Sequence, residues 1–180
     1  FADIRFLLQE KPLGVGHAIK LTKRIIGDNA FAVILPDDLI FSKPNSISQL
    51  NTIYKKYKGH VIGLNNVKNS EIPTKGIVDF TEEADRYNIN KLIEKPKLSE
   101  APSKTAILGR YILESSIFDE IMDVSDDEVN LTDALMTSLS KTNVSGKILD
   151  GYHFDTGNPK GLVQASSFFL KNSKLILEKY

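Results

Sequence analysis

The stretch Ala30–Asp38, AFAVILPDD, sets the fold class. It is a near-continuous apolar run ended by Pro36 and two carboxylates. A run of that kind suits a strand buried on both faces, as in a parallel sheet. Upstream, Gly16–Ile26 reads as a helix with Ala18, Ile19, Ile25 and Ile26 facing inward, and Asp3–Gln9 (DIRFLLQ) reads as a short buried strand. Downstream, Ser46–Tyr57 carries Ile47, Leu50, Ile53, Tyr54 and Tyr57 on one helical face. His60–Val67 is the next strand. Strand, helix, strand, helix, strand argues for α/β layering.

The chain then changes character. Lys75–Phe80 (KGIVDF) and Ile89–Pro96 (INKLIEKP) read as short strands around a polar loop, and Thr105–Leu113 as another strand. Ser115–Met122 and Leu131–Leu139 read as helices. Lys147–Gly157 is strand material broken at Gly151. A closing helix is expected from about Pro159, a residue tolerated in a first helical turn, to about Tyr180. The 70s to 100s, with Pro73, Pro96 and Pro102, read as loops inserted over the sheet. The last helix, with Phe168, Phe169, Leu175 and Ile176, either serves an interface, making a homo-oligomer, or packs on the sheet.

Composition narrows the chemistry. The 180 residues are enough for one domain with a real core. Lys+Arg and Asp+Glu balance at 23 each, which gives no support for sequence-independent nucleic-acid binding. There is no cysteine, so disulfides and thiolate zinc sites are excluded. With only His17, His60 and His153, a hard cation held by carboxylates is the metal site that remains. No apolar run approaches the ~20 residues of a membrane span. The opening FADIRF has neither a secretory-signal pattern nor an initiator Met, as if the chain were cut into.

Several short motifs can carry chemistry, and each also has a plain structural reading. Asp37 and Asp38 emerge at a strand's carboxyl end, where α/β sheets gather ligands. A carboxylate there suits Mg²⁺ bound together with substrate phosphates, or simply starts a polar loop. Asp155, in FDTG, sits in an Asp-containing turn and would complete a two-carboxylate cation site if it met Asp37 in space. Glu94 and Lys95, in IEKP, end another strand. Only one of them faces a given pocket unless the strand bends before Pro96. In QEKPLGVGHA (Gln9–Ala18) the glycines permit close backbone approach. Neither a G-x-G-x-x-G nor a G-x-x-x-x-G-K-[ST] motif is present.

Singly these signals are weak; their order is not. QEKPLGVGHA, VILPDD, KGIVDF, IEKPK with APSKTAILGRYIL, NLTDAL and FDTGNPKG follow one another in a chain that resembles the bacterial UTP–glucose-1-phosphate uridylyltransferases, within the sugar-phosphate nucleotidyltransferase superfamily. The likeness covers nearly all of the sequence and is most specific from Glu94 to Leu113. It implies a Rossmann-like mixed sheet flanked by helices, and transfer of a uridylyl group from UTP to glucose 1-phosphate, giving UDP-glucose and pyrophosphate with Mg²⁺ in the cytoplasm. It also implies roles. Gln9 reads the uracil edge, with the backbone of Gly14 beside the base. Asp37 and Asp155 hold the metal. Gly76 lies against the glucose, Glu94 accepts from its hydroxyls, and Gly109 and Arg110 line its side. Lys95 contacts the phosphate.

The sequence departs from the family pattern in places. Lys75 stands before Gly76 where a Tyr or Phe is usual, Glu128-Val129-Asn130 precedes LTDA, and Pro159 stands where a Lys is common. The 180 residues hold no G-x-G-T-R triphosphate loop. The expectation is therefore a single partial domain, N-terminally truncated, with an exposed sheet edge and little activity by itself. Two other readings compete: a non-catalytic nucleotide-sugar-binding or oligomerisation module, and a glycosyltransferase. The second lacks support, because the two acids are adjacent and form no D-x-D.

Overall fold

Proline decides where the first strand ends. In the computed structural model, which describes residues 2–122 and 128–173, β1 covers only Phe31–Ile34. It pairs antiparallel with β6 (Thr105–Leu113) and with no other strand among the described residues. Leu35 extends the ladder by one bond, N–H to the Gly109 carbonyl at 2.9 Å. Pro36 has no N–H, and the pairing stops there. The expectation of a strand buried on both faces is thus corrected. β1 is an edge strand with alternating exposure, and Ile34 remains 55% exposed.

After Pro36 the chain switches partner. β2 (Asp38–Phe41) leaves the main sheet and pairs antiparallel with β8 (Tyr152–Asp155), placing Asp38 opposite Asp155. The remaining strands are β3 (His60–Asn66), β4 (Ile77–Glu83), β5 (Arg86–Ile93) and β7 (Val144–Ile148). With β1 and β6 they form a six-stranded sheet of order β1-β6-β3-β7-β5-β4, β4 also touching β6 through Ile77 and Ala106. Only β3 and β7 run parallel, so the sheet is mixed, as the resemblance implies. The placement of the 70s to 100s over the sheet is corrected. The two expected strands, β4 and β5, form a hairpin inside this sheet, with Ile77, Val78, Ile89 and Leu92 buried there.

Period-two alternation sorts the core into two layers. Ile62 and Leu64 of β3 and Tyr111 and Leu113 of β6 face one side. They pack with Ile19 of α1 (Gly14–Lys20), Ile117 and Phe118 of α4 (Ile117–Glu120), and Ala134 and Leu135 of α5 (Leu131–Ser138). Val61, Leu108 and Ile112 face the other side, against Leu50 and Ile53 of α3 (Ser46–Tyr57). Asn45 caps α3 by accepting the Ser48 N–H at 2.9 Å. Helix α6 (Pro159–Lys171) instead lies on the β2–β8 ribbon. Its Phe168 and Phe169 pack against Phe41 and Phe154 of that ribbon and not on the main sheet. Leu175 and Ile176 lie outside the described residues.

Two upstream expectations fail. Asp3–Gln9 forms no strand, and Phe6 is 92% exposed, since no described strand or helix layer faces it. The Gly16–Ile26 helix is two pieces, α1 and α2 (Lys23–Ile26), parted where the Thr22 hydroxyl donates to the Ile19 carbonyl at 2.7 Å. Ile19 and Ile26 turn inward, while Ala18 and Ile25 stay exposed. No helix among the described residues is long and apolar enough to cross a membrane.

Candidate active site

The partner switch at Pro36 opens a cleft between the main sheet and the ribbon. A cavity of about 330 Å³ is lined there by Asp37, Lys75, Gly76, Glu94, Lys95 and Gly109, with Tyr111, Asn130 and Thr132 among the other walls. A second, polar cleft of about 450 Å³ adjoins it, sharing Thr74 and Lys75 and reaching His153, Asp155 and Lys160. Asp37, Asp38, Gly76, Glu94, Lys95 and Gly109, all singled out in the sequence, thus meet in one cavity, and Asp155 stands in the adjoining cleft.

Strand pairing brings the two acids together. The Asp37 carbonyl accepts from the Thr156 N–H at 2.7 Å and from its hydroxyl at 2.9 Å. A Cβ built on Gly157 would lie 3.2 Å from Asp37 Oδ2 and 3.3 Å from Asp155 Oδ1. The missing side chain therefore leaves a small cradle between two carboxylates. Two hard oxygen donors beside open space fit Mg²⁺, which uses one or two carboxylates and completes its shell with water and phosphate. No group of three or more His, Cys, Asp or Glu suited to a metal occurs among the described residues, so phosphate or water would have to supply the rest.

Glu94 and Lys95 both reach the cavity because the strand does bend. Lys95 has φ 44°, a left-handed conformation unusual for a side-chain-bearing residue and more so before proline. Such strain gathers at functional sites. Glu94 Oε2 accepts from the Thr132 hydroxyl at 2.7 Å, which orients the carboxylate. Gly76 is needed below it, since a Cβ there would come within 3.1 Å of that same oxygen.

Asp38 does different work from Asp37. Its Oδ2 accepts from the Gly109 N–H at 2.6 Å and its Oδ1 lies 2.6 Å from His153 Nε2. Burial pushes the Asp38 carboxyl up, but the bonds from His153 and Gly109, with the charges of His153 and Lys75, outweigh it and hold the group below the usual carboxylate range. A Cβ on Gly109 would stand 2.7 Å from Asp38 Oδ2, so only glycine allows this clamp. Arg110, expected on the sugar side, does not line the cavity. It points to the opposite face and donates to the carbonyls of Leu35 and Gly109 at 2.8 Å and to that of Asp38. It holds the backbone that carries the acids.

The glycine loop is likewise built by docking. Gly14, at φ 85°, and Gly16 leave no room for a side chain against Val129, whose carbonyl accepts the Gly16 N–H at 2.9 Å. Gln9 Nε2 donates to the Gly14 carbonyl at 3.1 Å and lies 2.9 Å from His17 Nδ1. Gln9 and Gly14 stand outside the cavity wall, which this loop meets through Val15. Sequence reading named Asp38 but not its partners Gly109 and His153, and it missed Thr132 as the partner of Glu94. Their roles depend on strand register, which no local pattern encodes.

Comparison with known proteins identifies the family and the fold. Residues 2–172 match the Nucleotidyl transferase family. The UTP--glucose-1-phosphate uridylyltransferase YngB of Bacillus subtilis (strain 168) is 36% identical over 170 residues, 92% of this chain and 57% of that protein. A UTP--glucose-1-phosphate uridylyltransferase of Staphylococcus epidermidis (strain ATCC 12228 / FDA PCI 1200) is 35% identical over 179 residues, covering 97% of this chain and 62% of that one. Among solved structures, a UDP-glucose pyrophosphorylase complexed with UDP-glucose superposes with TM-score 0.85 at 32% identity, over 91% of this chain and 64% of that one. UTP-bound UGPase from Acinetobacter baumannii gives 0.79 at 28%, over 93% and 63%. The chain thus spans less than two thirds of the length of these relatives. The match over residues 2–172, with the same fold in these solved structures, carries one conclusion: the chain belongs to the nucleotidyl transferase family.

Proposed function

We propose that the protein transfers a uridylyl group from UTP to glucose 1-phosphate, giving UDP-glucose and pyrophosphate, with Mg²⁺ at Asp37 and Asp155. The convergence of these carboxylates over Gly157, beside a cavity walled by Gly76, Glu94 and Lys95, carries the reading. The printed names of the relatives supply the substrates. A cation held by Asp37 and Asp155 would neutralise phosphate charge and align the reacting groups.

The chain's own residues do the rest by positioning. Gly76 lets the sugar approach the backbone, and Glu94, fixed on one oxygen by Thr132, accepts from sugar hydroxyls with the other. Lys95, half exposed and aimed by its strained backbone, serves as a point charge for the phosphate. The Gln9 amide nitrogen is used within its loop, so Oε1 accepts from the uracil N3–H, with Gly14 beside the base. A phosphate oxygen of the acceptor attacks the α-phosphorus in line, and no covalent enzyme intermediate is needed. The chain acts as one unit carrying base, metal and sugar contacts, in the cytoplasm. With the full-length protein, UTP and glucose 1-phosphate should yield UDP-glucose and pyrophosphate in equal amounts. Failure to form UDP-glucose, or equal turnover with dTTP, contradicts the assignment.

A further inference from the structure

Lys75 is the wall between the two cavities and lines both. Its side chain is only 17% exposed, and its Nζ lies 3.2 Å from Asp155 Oδ2. The other oxygen of that carboxylate, Oδ1, faces the Gly157 cradle and accepts the Gly157 N–H at 3.1 Å. The Lys75 carbonyl also accepts the Lys95 N–H at 3.1 Å, which fixes the two lysines side by side at the mouth of the sugar cavity. A monovalent cation thus already neutralises the carboxylate that the proposed divalent cation would use. An ammonium this close to a divalent ion repels it, and the largely buried Lys75 side chain limits the screening by water. The lysine stem is flexible, and its ammonium is a mobile point charge. Lys75 also lines the cavity with Gly76, Glu94 and Lys95, where a ligand's phosphates would lie.

We propose that Lys75 couples cation binding to phosphate binding: it holds Asp155 while no ligand is bound, and turns to the ligand's phosphate when a divalent cation takes the carboxylate. This rests on the cation site proposed above. The ligand class is a phosphate ester or nucleoside diphosphate sugar bound together with a divalent metal. Divalent affinity is then low without ligand and rises with it, and by linkage the ligand's affinity rises equally with the metal.

Mn²⁺ titration of the full chain, followed by the EPR signal of the free ion with and without UDP-glucose, tests this. Lys75→Gln should bind Mn²⁺ alone about fivefold or more tightly than the unaltered protein, and the gain conferred by UDP-glucose should shrink by a similar factor. Lys75→Arg, which keeps the charge, should behave as the unaltered protein. If Lys75→Gln changes neither quantity, the coupling role of Lys75 is overturned while the cation site stands. If the unaltered protein with UDP-glucose binds no Mn²⁺, or Asp155→Asn binds it as well, the site itself is overturned and the coupling with it.

Discussion

A methyl group on Gly157 would stand 3.2 Å from Asp37 Oδ2 and 3.3 Å from Asp155 Oδ1. Gly157 is exposed and lacks a positive φ, so the fold does not demand glycine there. Gly157→Ala should leave stability within about 0.5 kcal/mol and lower Mn²⁺ affinity about tenfold or more, as changes beside metal ligands do. Thermal melts and the EPR titration check the two halves, and an unchanged affinity contradicts the cradle. At this scale the sequence was informative where a residue type and a strand end coincide: Asp37, Gly76, Glu94 and Lys95 line the site. It did not separate the work of Asp38 from that of Asp37, and it misplaced Arg110. The first differs from Asp37 only by facing β6 and His153. The second depends on which face of β6 a residue takes, and one step along a strand reverses that.

The β2–β8 ribbon is the element that joins the acids, and α6 supports it. Phe168 meets the rings of Phe41, Tyr152 and Phe154 at 5.7, 4.6 and 5.0 Å between centroids. The start of α6 is pressed so close to the Asp155 carbonyl that Gly161 admits no Cβ. Phe168→Ala should cost about 1–3 kcal/mol, less than a fully buried Phe because the residue is only partly buried. It should also speed hydrogen exchange at Thr156, whose N–H bonds to Asp37 across the ribbon. Unchanged exchange at Thr156 would mean that α6 does not hold the acids in place. Among elements, α3 and β6 were legible to the residue, because their apolar periodicity is strong and their bounds carry clear signals. Asp3–Gln9 and β1 were not: an apolar run says that a segment would be buried, and only its neighbours decide on how many sides. The two strands of the β4–β5 hairpin were legible as Lys75–Phe80 and Ile89–Pro96, but their place inside the main sheet was not, because pairing with β6 and β7 is set by register and not by local pattern.

At the scale of the whole molecule, a buried histidine ties stability to pH. His60 is fully buried at the start of β3, its Nδ1 accepts the Glu114 N–H at 3.2 Å, and Nε2 has no hydrogen-bond partner among the described residues. Burial holds its pKa down from 6.5 to about 4, against the opposing charges of Glu114 and Glu120. The unfolded chain therefore binds this proton below pH 6.5 while the folded chain stays neutral to about 4. The contribution is fully present above 6.5 and drains as pH falls toward 4, by up to about 3 kcal/mol. Urea midpoints across that window should fall with acid, and His60→Gln should flatten the slope; parallel slopes would contradict this. The mixed topology of the sheet came from the resemblance and not from periodicity, because apolar runs do not reveal strand direction.

Asp37 and Asp155 together are proposed to hold the cation for uridylyl transfer. The direct test is Mg²⁺-dependent synthesis of UDP-glucose by the full-length protein, compared with Asp37→Asn and Asp155→Asn. Each substitution should lower turnover about a hundredfold or more and raise the Mg²⁺ concentration needed for half-maximal rate. Turnover and Mg²⁺ dependence unchanged in either variant would contradict the claim.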